Sequence, residues 1–161
     1  MRRLVLMRHA KTEAHHIEGD KARRLTHSGR EDARAAGASL ARLGLTHALV
    51  STAARTRETF AALGLDLAPD LIDALYLCGT DTLAWQIAQV DDSVEGLLVV
   101  AHAPAVPDLA ARLTFEALPA EAERIAGWFP TSAFSTFTID GGWSELLDGL
   151  AEYGSTTRPR P

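Results

Sequence analysis

The chain has 161 residues, 47% hydrophobic and 23% charged, which supports one globular domain with a continuous core and excludes disordered and collagen-like architectures. A net charge of −5 and a pI of about 5.6 argue against nucleic-acid or anionic-membrane partners. The charge is lopsided: residues 1–57 hold 12 basic and 5 acidic residues, a balance of +7, whereas residues 58–161 stand at −12. A basic first third on an acidic protein raises the question of which anion it meets. Cys78 is the only cysteine, so no intramolecular disulfide or zinc finger can form and a reducing compartment fits. The first apolar run, Leu4-Val5-Leu6-Met7, stops at Arg8-His9, far short of a signal segment or membrane span, so the expected location is cytoplasmic.

In chain order, Leu4–Met7 is a short continuous apolar run of the kind buried on both faces of a parallel sheet, and Ala48–Val50 and Leu97–Val100 repeat it. Between the first two, Ala33, Ala36, Leu40 and Leu43 fall at helical spacing, with Thr26 as cap and Gly44 at the left-handed stop. A second helix is expected from Ala53 to Leu63 before Gly64, a strand over Leu71–Tyr76, and a third helix over Asp81–Val90 after a Thr80 cap. Short helices over 106–113 and 121–126 follow, then a strand over Phe134–Ile139. The turn Asp140-Gly141-Gly142 predicts an antiparallel hairpin closing through Trp143–Leu147. Residues 1–153 read as a single domain, and 154–161 as a frayed tail. The expected fold is α/β: a three-layer α/β/α sandwich on a mainly parallel sheet with an antiparallel C-terminal edge hairpin, its ligands gathering at the C-terminal strand ends.

Those ends carry Arg8-His9-Ala10-Lys11, Ser51-Thr52-Ala53-Ala54-Arg55 and Ala101-His102-Ala103-Pro104. Two histidines and two arginines thus arrive at one rim. A guanidinium presents a fork of donors matched to phosphate oxygens, and a neutral imidazole nitrogen attacks phosphorus, so the set suits phosphoryl transfer through a phosphohistidine.

The three segments, with Ser51-x3-Arg55-x3-Thr59 at the second strand and helix, resemble the histidine phosphatase superfamily (phosphoglycerate mutase-like) over nearly the whole chain. The short length, the Arg-His-Ala-Lys form and the segment Arg24-Leu25-Thr26-x2-Gly29 look like the small SixA-type phosphohistidine phosphatases. The resemblance implies that His9 attacks the phosphorus and carries the phosphoryl group while Arg8, Arg55 and His102 surround its equatorial oxygens. It implies no metal or other cofactor, and a phosphohistidine protein or a small phosphorylated compound as partner. The second ring nitrogen of His9 is expected to donate to a backbone carbonyl, fixing the tautomer. His102 is expected to be protonated once phosphate is bound.

Ala10 and Ala53 depart from the family pattern without touching chemistry. The glutamate that larger relatives use as general acid is missing; Asp81 is the nearest carboxylate and the candidate donor. Lys11 and Arg24 are candidate extensions of the anion site, and Arg23 reads more simply as a solvated charge. His15-His16 reads as a solvated loop rather than a metal site, and Cys78 as a small buried hydrophobe. Two alternatives share these residues: a catalytically weak phosphate-binding regulatory domain, and a phosphoglycerate mutase-like phosphotransferase, which the short chain disfavours.

Overall fold

The computed structural model describes residues 1–160; Pro161 lies outside them. Six strands form one sheet in the order β3-β2-β4-β1-β5-β6, with β1 at Arg2–Arg8, β2 at His47–Ser51, β3 at Pro69–Ile72, β4 at Gly96–Ala101, β5 at Phe134–Ile139 and β6 at Ala151–Thr157. The pairs β1/β4, β2/β4 and β2/β3 are parallel, and β1/β5 and β5/β6 are antiparallel. The helices are α1 (His27–Leu40), α2 (Ala54–Leu63), α3 (Thr80–Ala88), α4 (Ala105–Phe115) and α5 (Pro119–Gly127).

Strand pleating assigns the layers, because successive side chains point to opposite faces. Val5, Met7, Val50, Leu98 and Val100 bury one face under Ala33, Ala36 and Leu40 of α1 and Phe60 and Leu63 of α2. Leu4, Leu6, Leu97, Val99 and Phe137 bury the other under Leu83 and Ile87 of α3, Val106 and Leu109 of α4, and Ile125 of α5. The two layers of helices explain why β1 and β4 read as unbroken apolar runs. α1 and α2 approach very closely: a Cβ on Gly37 would stand 2.0 Å from the carbonyl oxygen of Leu63, so no larger residue fits there.

Several expected boundaries move. α1 ends at Leu40, not Leu43, although Gly44 does take the left-handed conformation at φ +68°. Gly79 rather than Thr80 precedes α3, with no side-chain cap. The strand expected over Leu71–Tyr76 is β3 at Pro69–Ile72, after which Asp73–Leu75 turn as a 3-10 segment that buries Leu75. The closing hairpin exists, but its second strand is β6. Trp143–Glu145 form a 3-10 turn instead, because the Trp143 ring is wholly buried and its Nε1–H reaches the Val94 carbonyl at 2.9 Å. The frayed tail is corrected as well: Gly154–Thr157 belong to β6, and Arg158 Nε donates to the Trp128 carbonyl at 3.1 Å. Among the described residues, no helix is long and apolar enough to cross a membrane.

After β3 the chain returns to insert β4 between β2 and β1, so three parallel strands deliver their C-terminal ends side by side. A ligand site is expected outside such a reversal of strand order.

Candidate active site

His9 follows the last residue of β1 and is 7% exposed. Its N–H donates to the Ala101 carbonyl on β4 at 3.1 Å, and its carbonyl accepts from the Ser132 N–H at 2.9 Å, so β4 and the turn before β5 fix its backbone. Nδ1 lies 2.8 Å from the Ala10 carbonyl, which can only accept, so Nδ1 carries the proton and Nε2 keeps its lone pair. Burial, and then the charges of Arg55, Arg8 and Arg23, lower the His9 pKa to about 4 against the pull of the Ala10 hydrogen bond. The imidazole is therefore neutral at pH 7, as a nitrogen nucleophile must be.

The Ser-x3-Arg-x3-Thr spacing places Ser51 at the end of β2 and Arg55 and Thr59 one turn apart on α2. Thr59 Oγ1 accepts from the Ala10 N–H at 2.9 Å and donates to the Arg55 carbonyl at 2.7 Å, tying the end of β1 to α2. Arg55 is 4% exposed, and Ser51 Oγ at the end of β2 lies 2.8 Å from His102 Nε2. The rings of His9 and His102 stand 5.4 Å apart. Burial, then His9 and Arg55, push the His102 pKa down to about 3, so this ring is neutral in the free protein; an arriving dianion would favour its protonation. Arg8 Nη1 donates to the Phe129 carbonyl at 3.0 Å, and burial lowers its pKa from the ordinary arginine value.

Three donor-capable atoms of this group, Arg8 Nε, Arg55 Nε and His102 Nδ1, are buried with no hydrogen-bond partner among the described residues. Such groups cost about 1–3 kcal/mol each when unmet. Their concentration around His9 fits a tetrahedral anion, whose oxygens accept from several directions.

The structure thus gathers Arg8, His9, Arg55 and His102, and treats the other candidates differently. Lys11 is exposed. Arg24 is spoken for by Glu58, at 2.8 Å, on the outer side of α2. It lines an open groove of about 600 Å³ with His16, Arg57 and Glu58 that contains none of the four gathered side chains. The Asp81 side chain is 97% exposed and pairs with Arg112 of α4 at 3.4 Å, so its recorded partner is another helix and not the rim. Arg23 does more than a solvated charge: it lowers the His9 pKa and bonds Thr12 Oγ1 at 2.6 Å. Among the described residues no group of three or more His, Cys, Asp or Glu could hold a metal ion, His15 and His16 included.

Sequence reasoning missed Asp20 and Tyr76. Asp20 accepts from Arg55 and from the Tyr76 hydroxyl, and the Tyr76 ring meets His102 edge-on at 5.7 Å. A signal was available: a buried Arg55 needs a counter-charge, and only Glu13, Glu18 and Asp20 lie in the loop that leaves β1 and returns to α1.

A family model, the histidine phosphatase superfamily (branch 1), matches residues 4–76. An uncharacterized protein of Mycobacterium tuberculosis is 37% identical over 149 residues, covering 90% of this chain and 94% of the relative. Among solved structures, a candidate phosphohistidine phosphatase SixA from Nakamurella multipartitia superposes with a TM-score of 0.89 at 32% identity, over 98% of this chain and 96% of that one. The protein histidine phosphatase SixA complexed with tungstate shares the fold at a TM-score of 0.78 and 24% identity, over 98% and 97% of the two chains.

Proposed function

Because the chain belongs to the histidine phosphatase superfamily, in its SixA-like branch, we propose that it is a phosphatase that works through a phosphoryl group carried on His9 Nε2, without a metal. The observation that carries this reading is the His9 tautomer: Nδ1 is tied to the Ala10 carbonyl, and Nε2 is left for the substrate among buried Arg55, half-buried Arg8 and a second buried histidine. In the first step the Nε2 lone pair forms a bond to phosphorus as the bond to the leaving group breaks, with Arg8, Arg55 and His102 donating to the equatorial oxygens. In the second step water attacks the phosphorus, the P–N bond returns its pair to Nε2, and the water's proton stays with the released phosphate.

We place the substrate among phosphoramidates, with a phosphohistidine protein as the favoured partner. Asp81 is turned to solvent and is not assigned a role as proton donor. A protonated phosphoimidazole leaves as neutral imidazole and needs no donor, whereas an alkoxide leaving group does. The SixA names carried by structural relatives agree with that choice.

Hydrolysis of a phosphohistidine peptide, phosphoramidate and p-nitrophenyl phosphate should follow that order of kcat/KM, and His9→Ala should abolish all three. Full hydrolysis by His9→Ala would sink the proposal. A wild-type protein that binds tungstate without turnover would instead favour the regulatory-domain alternative.

A further inference from the structure

Residues 12–24 cross beside the rim and are tied down along their length. Thr12 bridges to Leu25, Arg23 Nε donates to the Glu13 carbonyl at 2.9 Å, and the Leu25 N–H meets Glu58 of α2 at 3.0 Å. The segment's 3-10 turn, Asp20–Ala22, sets Asp20 against Arg55. Arg55 Nη1 donates to the Asp20 main-chain oxygen at 2.9 Å and Nη2 to the carboxylate Oδ2 at 3.2 Å. The same Oδ2 accepts from the Tyr76 hydroxyl at 2.5 Å, and Oδ1 accepts from Arg23 at 3.1 Å. Lys21 fastens the turn from its other side by pairing with Asp73 at 3.1 Å.

A guanidinium has an end-on edge, made by Nη1 and Nη2, and a side-on edge, made by Nε and the second hydrogen of Nη2. Asp20 fills the end-on edge of Arg55 with two acceptors. The side-on edge is left with a buried Nε that has no hydrogen-bond partner among the described residues. The guanidinium carbon stands over the Tyr76 ring, 5.7 Å from its centroid.

Resting on the phosphatase reading above, we propose that Asp20 is a positioning residue: with Tyr76 it clamps the end-on edge of Arg55 so that the side-on edge is presented to the phosphoryl oxygens. Asp20 is not a proton donor in this arrangement. The Tyr76 hydrogen bond, against the opposing effect of burial and with help from the Arg23 and Arg55 contacts, holds its carboxyl at about 2, so it stays ionised across the working range. Nor is it a competitor for the phosphoryl group, since the edge it occupies is not the free one.

The test is steady-state hydrolysis of p-nitrophenyl phosphate, with tungstate inhibition, in wild type, Asp20→Ala, Asp20→Asn and Tyr76→Phe, each checked by thermal melting. Asp20→Ala is expected to lower kcat about 10- to 100-fold, the range that misplacing a catalytic group produces, and to weaken tungstate by a similar factor. Asp20→Asn keeps an acceptor oxygen and should recover part of the loss, Tyr76→Phe should fall between wild type and Asp20→Ala, and the shape of the pH profile should not change. Wild-type kcat in Asp20→Ala would overturn the inference, as would tighter tungstate binding or the loss of an alkaline limb from the profile. Should Asp20→Ala fail to fold, Tyr76→Phe decides, and unchanged kcat and tungstate inhibition there overturn it. Activity that depends on His9 but not on Asp20 defeats this inference alone. A wild type that neither turns over nor binds tungstate defeats the phosphatase reading and this inference together.

Discussion

The rim of the parallel strands and the antiparallel edge treat their buried polar groups in opposite ways. At the edge, the fully buried Ser135 hydroxyl meets Thr156 Oγ1 at 2.7 Å, and the Tyr153 hydroxyl lies 3.0 Å from Glu121 and 2.8 Å from Thr156. At the rim, Arg8 Nε, Arg55 Nε, His102 Nδ1 and the nearby Ser132 Oγ are buried with no hydrogen-bond partner among the described residues. The edge satisfies itself and needs no ligand. The rim holds cations and neutral imidazoles out of water, at a cost to stability that a bound anion would offset. Unmet polarity gathered around His9, rather than polarity as such, marks the site; Arg2 Nε, at the opposite end of β1, also lacks a hydrogen bond among the described residues, but it stands alone and has the Asp92 carboxylate 3.9 Å away.

The largest break of that contrast should come from His9. His9→Ala is expected to lower kcat by at least about a thousandfold, the scale of losing a nucleophile, whereas Ser135→Ala leaves kcat unchanged in the same assay. Next, His102→Ala should cost about 100- to 1,000-fold in kcat, as for loss of one preorganised donor to a developing charge; a loss below tenfold would place His102 outside the reaction.

The rim should also govern acid stability. His9 and His102 titrate at about 4 and 3 in the folded protein, against 6.5 for a free imidazole. Between those values the unfolded chain binds more protons, so stability is full above pH 6.5 and falls as pH drops toward the folded values, by up to about 1.4 kcal/mol per unit per histidine. Denaturant melts at pH 7 and pH 5 should differ by up to about 4 kcal/mol from this source, His102→Ala should halve the difference, and tungstate should shrink it. An undiminished drop in His102→Ala would contradict the assignment.

Smaller effects separate scaffold from site. Gly37→Ala forces a Cβ onto the Leu63 carbonyl and should cost about 1–3 kcal/mol in denaturant melts. Thr156→Ala at the edge should cost about 1 kcal/mol with kcat unchanged, and Asp81→Asn should leave kcat of p-nitrophenyl phosphate hydrolysis unchanged.

The legible parts of the sequence were those with a physical signature of their own. β1, β2, β4 and β5 announced themselves because strands covered on both faces, or packed hard on one, need apolar runs, and the four rim residues followed from where those strands end. β6 was hidden: Ala151–Thr157 is exposed along most of its length and is held by hydroxyl pairs to β5 rather than by apolar burial. Trp143–Leu147 looked like a strand for the converse reason, since Trp143 and Leu146 fill the core from a turn. Asp20 and Tyr76 escaped because their partner, Arg55, is 35 and 21 positions away in the chain, and no local periodicity reports a contact of that kind. Asp81 is a candidate in the sequence only as the nearest carboxylate after the third strand, and a helix start facing solvent offers it Arg112 instead.

The account stands most directly on where the phosphoryl group goes. Rapid acid-free quenching of the turning-over enzyme, followed by phosphorus NMR and mass mapping, should find one alkali-stable, acid-labile phosphohistidine at His9, bonded through Nε2. Full turnover with His9 unmodified, or a phosphoryl group on Nδ1, would contradict it.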